Sequence, residues 1–352
     1  MLNTFSICIP NFNYEKYIGI TLNSVFSQSY PHYEVIVTDN ASTDKSVDII
    51  TEFASKHTNL SYKVNRINVG FAGNLDESGR MAVNDYMIML SSDDVINNDA
   101  LSTYNTFINL VNSSIKQRFA FCSTFEKIDA EGKFLTLIGP SSLLWRESDI
   151  ADDLTNEMGC KIYKVASGEM LKRCISRFST PFNFASACYM ADTYKSVGGY
   201  GGGRSINPDK WFHWKVLADT DYVYFIDKPL FQYRWHNNNQ GAQQTRDQLL
   251  KFWVDDYKTS FESTSAMLKK AAVNQEFVNQ SFIDRSIMPY VLQHLLRNDF
   301  DMARRIFYFG LSCYPKLMRR NKYYLISKII LISSWSGKPI LALIKLLKRN
   351  EI

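Results

Sequence analysis

Two adjacent carboxylates, Asp93 and Asp94, follow the apolar run Tyr86–Leu90 (YMIML) and are the sharpest chemical signal in the chain. Like charges ~4 Å apart repel by on the order of 1 kcal/mol in water and several-fold more at a shielded site, so such a pair calls for a cation or strong donors. Hard Mg²⁺ or Mn²⁺ would suit it, taking one or two carboxylates and filling its shell from substrate phosphate. The other reading is a plain strand end in which Asp94 caps the next helix. Two more polar stretches follow apolar runs: Pro10-Asn11-Phe12-Asn13-Tyr14 after Phe5–Ile9, and Asp39-Asn40 after Tyr33–Thr38. Asp39-Asn40 sets an acceptor beside a mixed donor-acceptor, fit for a nucleobase edge or ribose hydroxyl, or for an Asx-type turn. Asn68 to Asn74 (NVGFAGN) is either a helix start or a loop whose small residues let backbone approach a phosphate. It is neither a dinucleotide fingerprint nor a P-loop, which weighs against dehydrogenase and P-loop readings.

The elements that must position these residues alternate as βαβαβαβ, the pattern of a largely parallel sheet covered by helices. Strands are expected at Phe5–Ile9, Tyr33–Thr38, Leu60–Val64 and Tyr86–Leu90, with helices at Ile18–Ser27, Lys45–Ser55 (capped by Ser42 or Thr43) and near Asn74–Ala82. In such a sheet ligands bind outside the carboxyl ends of the strands, where all three polar stretches fall. A helix over Asn98–Asn112, a strand over Phe119–Ile128 and a turn at Ala130–Lys133 follow, and residues 139–165 show no clean period. Beyond them come helix Gly168–Arg177, strand Phe184–Met190, the glycine cluster Gly198–Gly203, helix Asp209–Leu217 and strand Tyr222–Ile226. From about residue 240 the sequence reads as helices, including Gln280–Arg297, Asp299–Leu311 and Ile340–Lys348.

At 352 residues, with 45% hydrophobic and 21% charged side chains, the chain can bury a large core, and disordered or collagen-like states are excluded. Its +5 net charge is local: Lys316 to Asn350 holds nine basic residues and no acid, while the rest is slightly acidic. That distribution argues against a nucleic-acid-binding body. Six cysteines form no C-x-x-C pair or metal-type cluster, which suits free thiols. With no basic-then-apolar leader at the N-terminus, a cytoplasmic location is expected.

The stretch from Ser6 to Asp44, NVGFAGN at 68–74 and the strand with SSDD at 86–94 resemble family 2 glycosyltransferases of the GT-A fold, in order, spacing and residue type over roughly the first 240 residues. The resemblance implies a Rossmann-like, mostly parallel α/β sheet flanked by helices. Residues 1–240 would form the catalytic domain (1–115 nucleotide-sugar-binding, 116–240 acceptor-binding) and 241–352 a helical extension. It implies that Pro10, Phe12 and Asp39 or Asn40 hold the base and ribose of a nucleotide sugar, UDP-sugar favoured, with Asn13, Asn74 and Asp93 in the same donor site. Asp94 would then sit on a Mn²⁺ or Mg²⁺ ion. Asn40 stands where many members carry a second acid. Pro208-Asp209-Lys210-Trp211-Phe212-His213-Trp214-Lys215 resembles the family's E-D-x-x-x-W-x-x-R/K element, with Pro208 in place of the first acid and Asp209 at the catalytic base. Lys228 to His236 resembles its P-L-x-x-Y-R-x-H segment, which makes His236 a metal or phosphate contact and Arg234 either functional or a buried scaffold ion. The implied activity is inverting, metal-dependent sugar transfer to a glycan or polyprenyl-linked acceptor in surface polysaccharide assembly. A sugar-phosphate nucleotidyltransferase would want a glycine- and basic-rich loop where PNFNYEKY stands, and a non-catalytic nucleotide-sugar-binding protein would not need Asp93, Asp94 and Asp209 together.

In the tail, Ile340, Leu343, Ile344 and Leu347 fall at i, i+3, i+4 and i+7 beside Lys345, Lys348 and Arg349. This suits either an interfacial helix on the inner, anionic face of a membrane or a helix packed on protein, as in a homodimer.

Overall fold

Strands β1 (Phe5–Asn11), β2 (Tyr33–Asp39), β3 (Leu60–Val64) and β4 (Tyr86–Met89) lie parallel in the order β3-β2-β1-β4. β1 is buried along its whole length, as a central strand covered on both faces must be, and FSICI is therefore an unbroken apolar run. Helices α1 (Ile18–Phe26), α2 (Ser46–Lys56) and α3 (Phe71–Met81) make the crossovers. The register sets Asn11 beside Asp39 and Cys8 beside Met89, so the loops after β1, β2 and β4 open on one edge. This computed structural model describes residues 2–114, 117–201, 208–236, 239 and 249–332, and the chain divides into two compact units: Met1–Cys174 with Ser179–Asp255, and Ile175–Phe178 with Asp256–Ile352.

The first unit continues through β5 (Val95–Ile96), α4 (Ala100–Ser114), β6 (Phe119–Ile128), β7 (Phe134–Ile138), α5 (Asp152–Met158), β8 (Ile162–Ala166), α6 (Ser167–Arg177), β9 (Cys188–Met190), α7 (Ala191–Ser196), α8 (Asp209–Asp219) and β10 (Tyr222–Arg234). The sheet then runs β3-β2-β1-β4-β9-β6-β10-β5, with β7 on β6 and β8 on β10. β9 is antiparallel to both β4 and β6, whereas β6 and β10 are parallel. Aromatic side chains fill the core beneath α4: Phe107 lies 4.9 Å from Phe121 and 5.2 Å from Tyr224, ring centre to ring centre.

Local competition explains where these elements depart from the sequence reading. The segments expected as strand Tyr222–Ile226 and as a separate motif from Lys228 are one strand, β10, whose register with β6 shifts around Pro229. Proline lacks the N–H a regular ladder needs, and the bulge absorbs it. The strand expected from Phe184 is confined to Cys188–Met190, because Ala187 N turns back to Asn183 O (3.0 Å) and Ser186 is drawn to Ser123. Neither Ser42 nor Thr43 caps α2: Lys45 holds that position, and the Ser42 hydroxyl bonds Asp39 instead. Asp94 does not cap α4, since β5 intervenes. Residues 139–165, without period in the sequence, include α5 and most of β8.

The second unit is helical. Its helices include α10 (Ser265–Ala271), α11 (Gln275–Phe282), α12 (Met288–Leu296) and α13 (Phe300–Cys313), after α9 (Leu249–Phe261), which straddles the division between the units. Thr264, Asn274 and Asp299 accept hydrogen bonds from Met267 N, Phe277 N and Met302 N, which caps α10, α11 and α13. The single helix expected over Gln280–Arg297 is interrupted by a wide π turn at Ile283–Ile287, just before Pro289, which has no N–H for a regular bond. Gly310 on α13 is required by packing: a Cβ there would fall 2.8 Å from Met318 Sδ and 2.9 Å from Ile287 Cγ2. Among the described residues no helix is long and apolar enough to cross a membrane, and the Ile340–Lys348 helix lies outside them.

Candidate active site

The loops after β1 and β2 are cross-braced. Asp39, only 1% exposed, accepts from Asn11 Nδ2 (2.8 Å), Ser42 N (2.8 Å) and Ser42 Oγ (2.6 Å), while Ser42 Oγ accepts from Asn13 N (2.8 Å). Asn13 returns the link, its Oδ1 accepting from Thr43 N at 2.8 Å, and both Asn13 (φ 57°) and Ala41 (φ 63°) adopt the left-handed backbone such tight turns need. Asn40 pins the third loop: its Nδ2 donates to Asn68 Oδ1 (2.9 Å), and its Oδ1 accepts from Val69 N (2.9 Å). Asn74 donates to Asn11 O and Thr38 O and accepts from Asn65 Nδ2. Asp39, Asn40 and Asn74 therefore frame the edge, with Pro10 buried in β1, while Phe12 is left 41% exposed beside them. Asn11 Oδ1 is buried without a partner.

The second cluster joins the end of β4 to the end of β10. Arg234 N donates to Asp94 Oδ1 at 2.9 Å, and Arg234 Nε donates to Asp93 O at 2.9 Å. Nη1 reaches the carbonyls of Asp129 and Ala130 at 3.3 Å, and the guanidinium lies 5.2 Å from the Tyr17 ring centre. Arg234 is thus a buried scaffold ion that ties the β6–β7 turn to the acidic pair. Asp93 Oδ2 meets His236 Nε2 at 3.0 Å and Asn239 Nδ2 at 2.9 Å, and the His236 ring packs 4.8 Å from that of Tyr17. Among the described residues Asp94 Oδ2 is buried with no partner. Burial first, and the Asp93 charge second, push the Asp94 carboxyl well above its ordinary range, and the same two causes raise the Tyr14 hydroxyl.

Asp209 opens α8, and among the described residues its Oδ1 is buried without a partner; burial pushes its pKa up to about 7. Its charge is felt by the Tyr189 and Tyr200 hydroxyls, themselves 3.4 Å apart. Rings connect this corner to the third loop: Phe71 at the start of α3 lies 6.2 Å from Phe184, which lies 6.4 Å from Tyr200, stacked 4.0 Å from Phe212 on α8. Asp76 on α3 fixes the approach, accepting from Tyr194 Oη (2.8 Å) and Tyr200 N (2.7 Å). The structure thus gathers Asp39, Asn40 and Asn74 in one brace and Asp93, Asp94 and His236 in another, and sets Asp209 on an aromatic relay from the first. Among the partners, Asn239 and Asp76 were not singled out in the sequence, while Ser42 was expected only as a helix cap and Asn11 only as part of a polar stretch. Gly202 and Gly203 of the glycine cluster lie outside the described residues.

Residues 6–109 match the family model described as Glycosyl transferase family 2. The poly(ribitol-phosphate) beta-N-acetylglucosaminyltransferase TarS of Staphylococcus aureus is 31% identical over 116 residues, which are 32% of this chain and 20% of that protein. The match thus spans about a fifth of TarS. The crystal structure of S. aureus TarS 1–349 in complex with UDP-GlcNAc superposes with a TM-score of 0.67 at 16% identity, covering 97% of this chain and 92% of that one. The mannosyltransferase PcManGT from Pyrobaculum calidifontis, in complex with GDP-Man and Mn²⁺, gives 0.50 at 14% identity, covering 96% and 89%. The fold is therefore the GT-A arrangement the sequence led us to expect, with a helical C-terminal region.

Proposed function

We propose, from the match of residues 6–109 to the model of glycosyl transferase family 2, that the chain transfers a sugar from a nucleotide-sugar donor, a UDP-sugar by preference, to a glycan or lipid-linked acceptor with inversion. The observation that carries this is that, among the described residues, Asp94 Oδ2 and Asp209 Oδ1 are buried carboxylate oxygens without partners, whereas Asp39 and Asp93 are hydrogen-bonded. The UDP-GlcNAc complex of the TarS structure and the poly(ribitol-phosphate) substrate in that enzyme's name favour a UDP donor and a surface-polymer acceptor.

The donor would lie on the braced edge, its base against Phe12 and the Asp39-Asn40 turn. Asp209 takes the proton of the acceptor hydroxyl as that oxygen bonds to the anomeric carbon, and the nucleoside diphosphate leaves from the opposite face. One base suffices, since a single displacement inverts the centre without a covalent intermediate. An Asp raised to about 7 is matched to that role near neutral pH.

Among the described residues no three His, Cys, Asp or Glu side chains converge as a full metal shell. The open Asp94 oxygen nevertheless fits a Mg²⁺ or Mn²⁺ ion that takes most of its ligands from water and phosphate. We assign Asp94 as its first ligand and His236 as a second, which would give up its bond to Asp93. Such an ion, when bound, supplies charge neutralisation of the leaving diphosphate.

A thermal-shift and turnover panel of UDP-GlcNAc, UDP-glucose, UDP-galactose and GDP-mannose, with and without Mn²⁺, tests the reading. One donor should raise the melting temperature, more so with metal, and Asp94→Asn should remove the metal-dependent part. A panel with no shift and no turnover would overturn it.

A further inference from the structure

Helix α8 carries His213 one turn beyond Asp209, so the two side chains share a face. His213 is 1% exposed, its Nδ1 lies 2.6 Å from Thr180 Oγ1, and its Nε2 has no partner among the described residues. Asp209 Oδ1 is also buried and unpartnered, so the two groups do not satisfy each other. A buried polar atom left unpaired is destabilising, and here two of them stand one turn apart.

The imidazole is held in place rather than loosely accommodated. Trp214 Nε1 donates to Ser179 O at 2.9 Å, which fixes the segment that bears Thr180, and the Phe182 ring stands edge-on 5.0 Å from the imidazole. Either tautomer leaves Nε2 as the open position. Burial pushes the His213 pKa down to about 3, so the ring is neutral near pH 7 and offers a hydrogen bond, not a charge. One hydroxyl group could satisfy one of the two open atoms. Two hydroxyls on neighbouring carbons could satisfy both.

Building on the transferase reading, we infer that His213 determines acceptor specificity: Nε2 hydrogen-bonds the hydroxyl adjacent to the one Asp209 deprotonates. The acceptors selected are those with vicinal hydroxyls, such as polyols and pyranosides, over isolated alcohols. The attacking oxygen gives its proton to Asp209 and forms the new glycosidic bond, while the neighbouring hydroxyl keeps its own proton and only orients the acceptor.

The test lets glycerol, a vicinal diol, and propane-1,3-diol, which is not, compete separately with water for the donor that the panel selects, starting with UDP-GlcNAc. Partition between transfer and hydrolysis is read by mass spectrometry. The wild type should favour glycerol by about tenfold or more, because a site built for a hydroxyl rejects its absence. His213→Phe, which keeps a ring without its nitrogens, should lose that preference, bringing the two diols to about equal partition. His213→Gln, with an amide donor, should keep part of the preference and serves if the first variant does not fold. Equal partition by the wild type, transfer to neither diol, or an unchanged preference in His213→Phe would overturn the inference. If the wild type turned over no nucleotide sugar at all, the transferase reading would fall, and this one with it.

Discussion

Asp209 is the residue on which the proposed chemistry turns, and its burial gives that role a measurable signature. Its ordinary carboxyl pKa near 3.8 is raised to about 7 in the fold, so the folded state prefers it protonated. The penalty for keeping it charged is absent below the unfolded pKa, grows through the window from about 4 to 7, and is complete above it. Asp209→Asn should therefore be as stable as the wild type at pH 4 and more stable at pH 8, by at most about 4 kcal/mol. The same substitution should lower kcat by about 10²–10⁴-fold. In the wild type, kcat should fall roughly tenfold per pH unit below about 7, an acid limb that the variant lacks. Denaturation midpoints at the two pH values and a pH–rate profile check both. Asp93 and Asp94 were legible in the sequence because two charges cannot follow an apolar strand without a reason. Arg234 and Asn239, which settle how the pair is held, lie more than 130 residues away, and of the two only Arg234 was named in the sequence, through the Lys228–His236 resemblance.

At the scale of elements, the donor edge depends on asparagines that bond backbone across loops. Asn74 serves Asn11 O, Thr38 O and Asn65 Nδ2 at once, so Asn74→Ala leaves several buried groups unpaired. It should cost roughly 2–4 kcal/mol in chemical denaturation and raise the donor KM more than it lowers kcat, since three loops lose their common tie. The alternation of strands and helices through β4 was readable because β1, β2 and β4 are largely apolar runs bounded by polar loops. The second half was less so. Its sheet mixes directions, β10 bulges at Pro229, and the start of β9 yields to a turn at Asn183–Ala187, all outcomes of long-range pairing rather than local propensity.

Over the whole molecule, charge is segregated: nine basic residues fall between Lys316 and Asn350, in a chain otherwise slightly acidic. We propose that this tail attracts the protein to anionic membrane, where a lipid-linked acceptor would be found. Cosedimentation with phosphatidylglycerol vesicles should be strong at low salt and weak at 0.5 M NaCl, and a chain ending at Ile332, which lacks four of the nine basic residues and the apolar Ile340–Leu347 run, should bind more weakly. Binding that salt and truncation both leave intact would contradict the proposal. The sequence disclosed this charge pattern, the helical second unit and the apolar strands of the first, since each is written in composition or period. It did not disclose the open His213 nitrogen, which only the packing of Ser179–Phe182 on α8 creates. The central claim, a single displacement with Asp209 as base, is tested most directly by the stereochemistry of the product. With an α-linked UDP-sugar as donor, proton NMR of the first-formed glycoside should show a β-anomeric coupling, and an α-glycoside would contradict it.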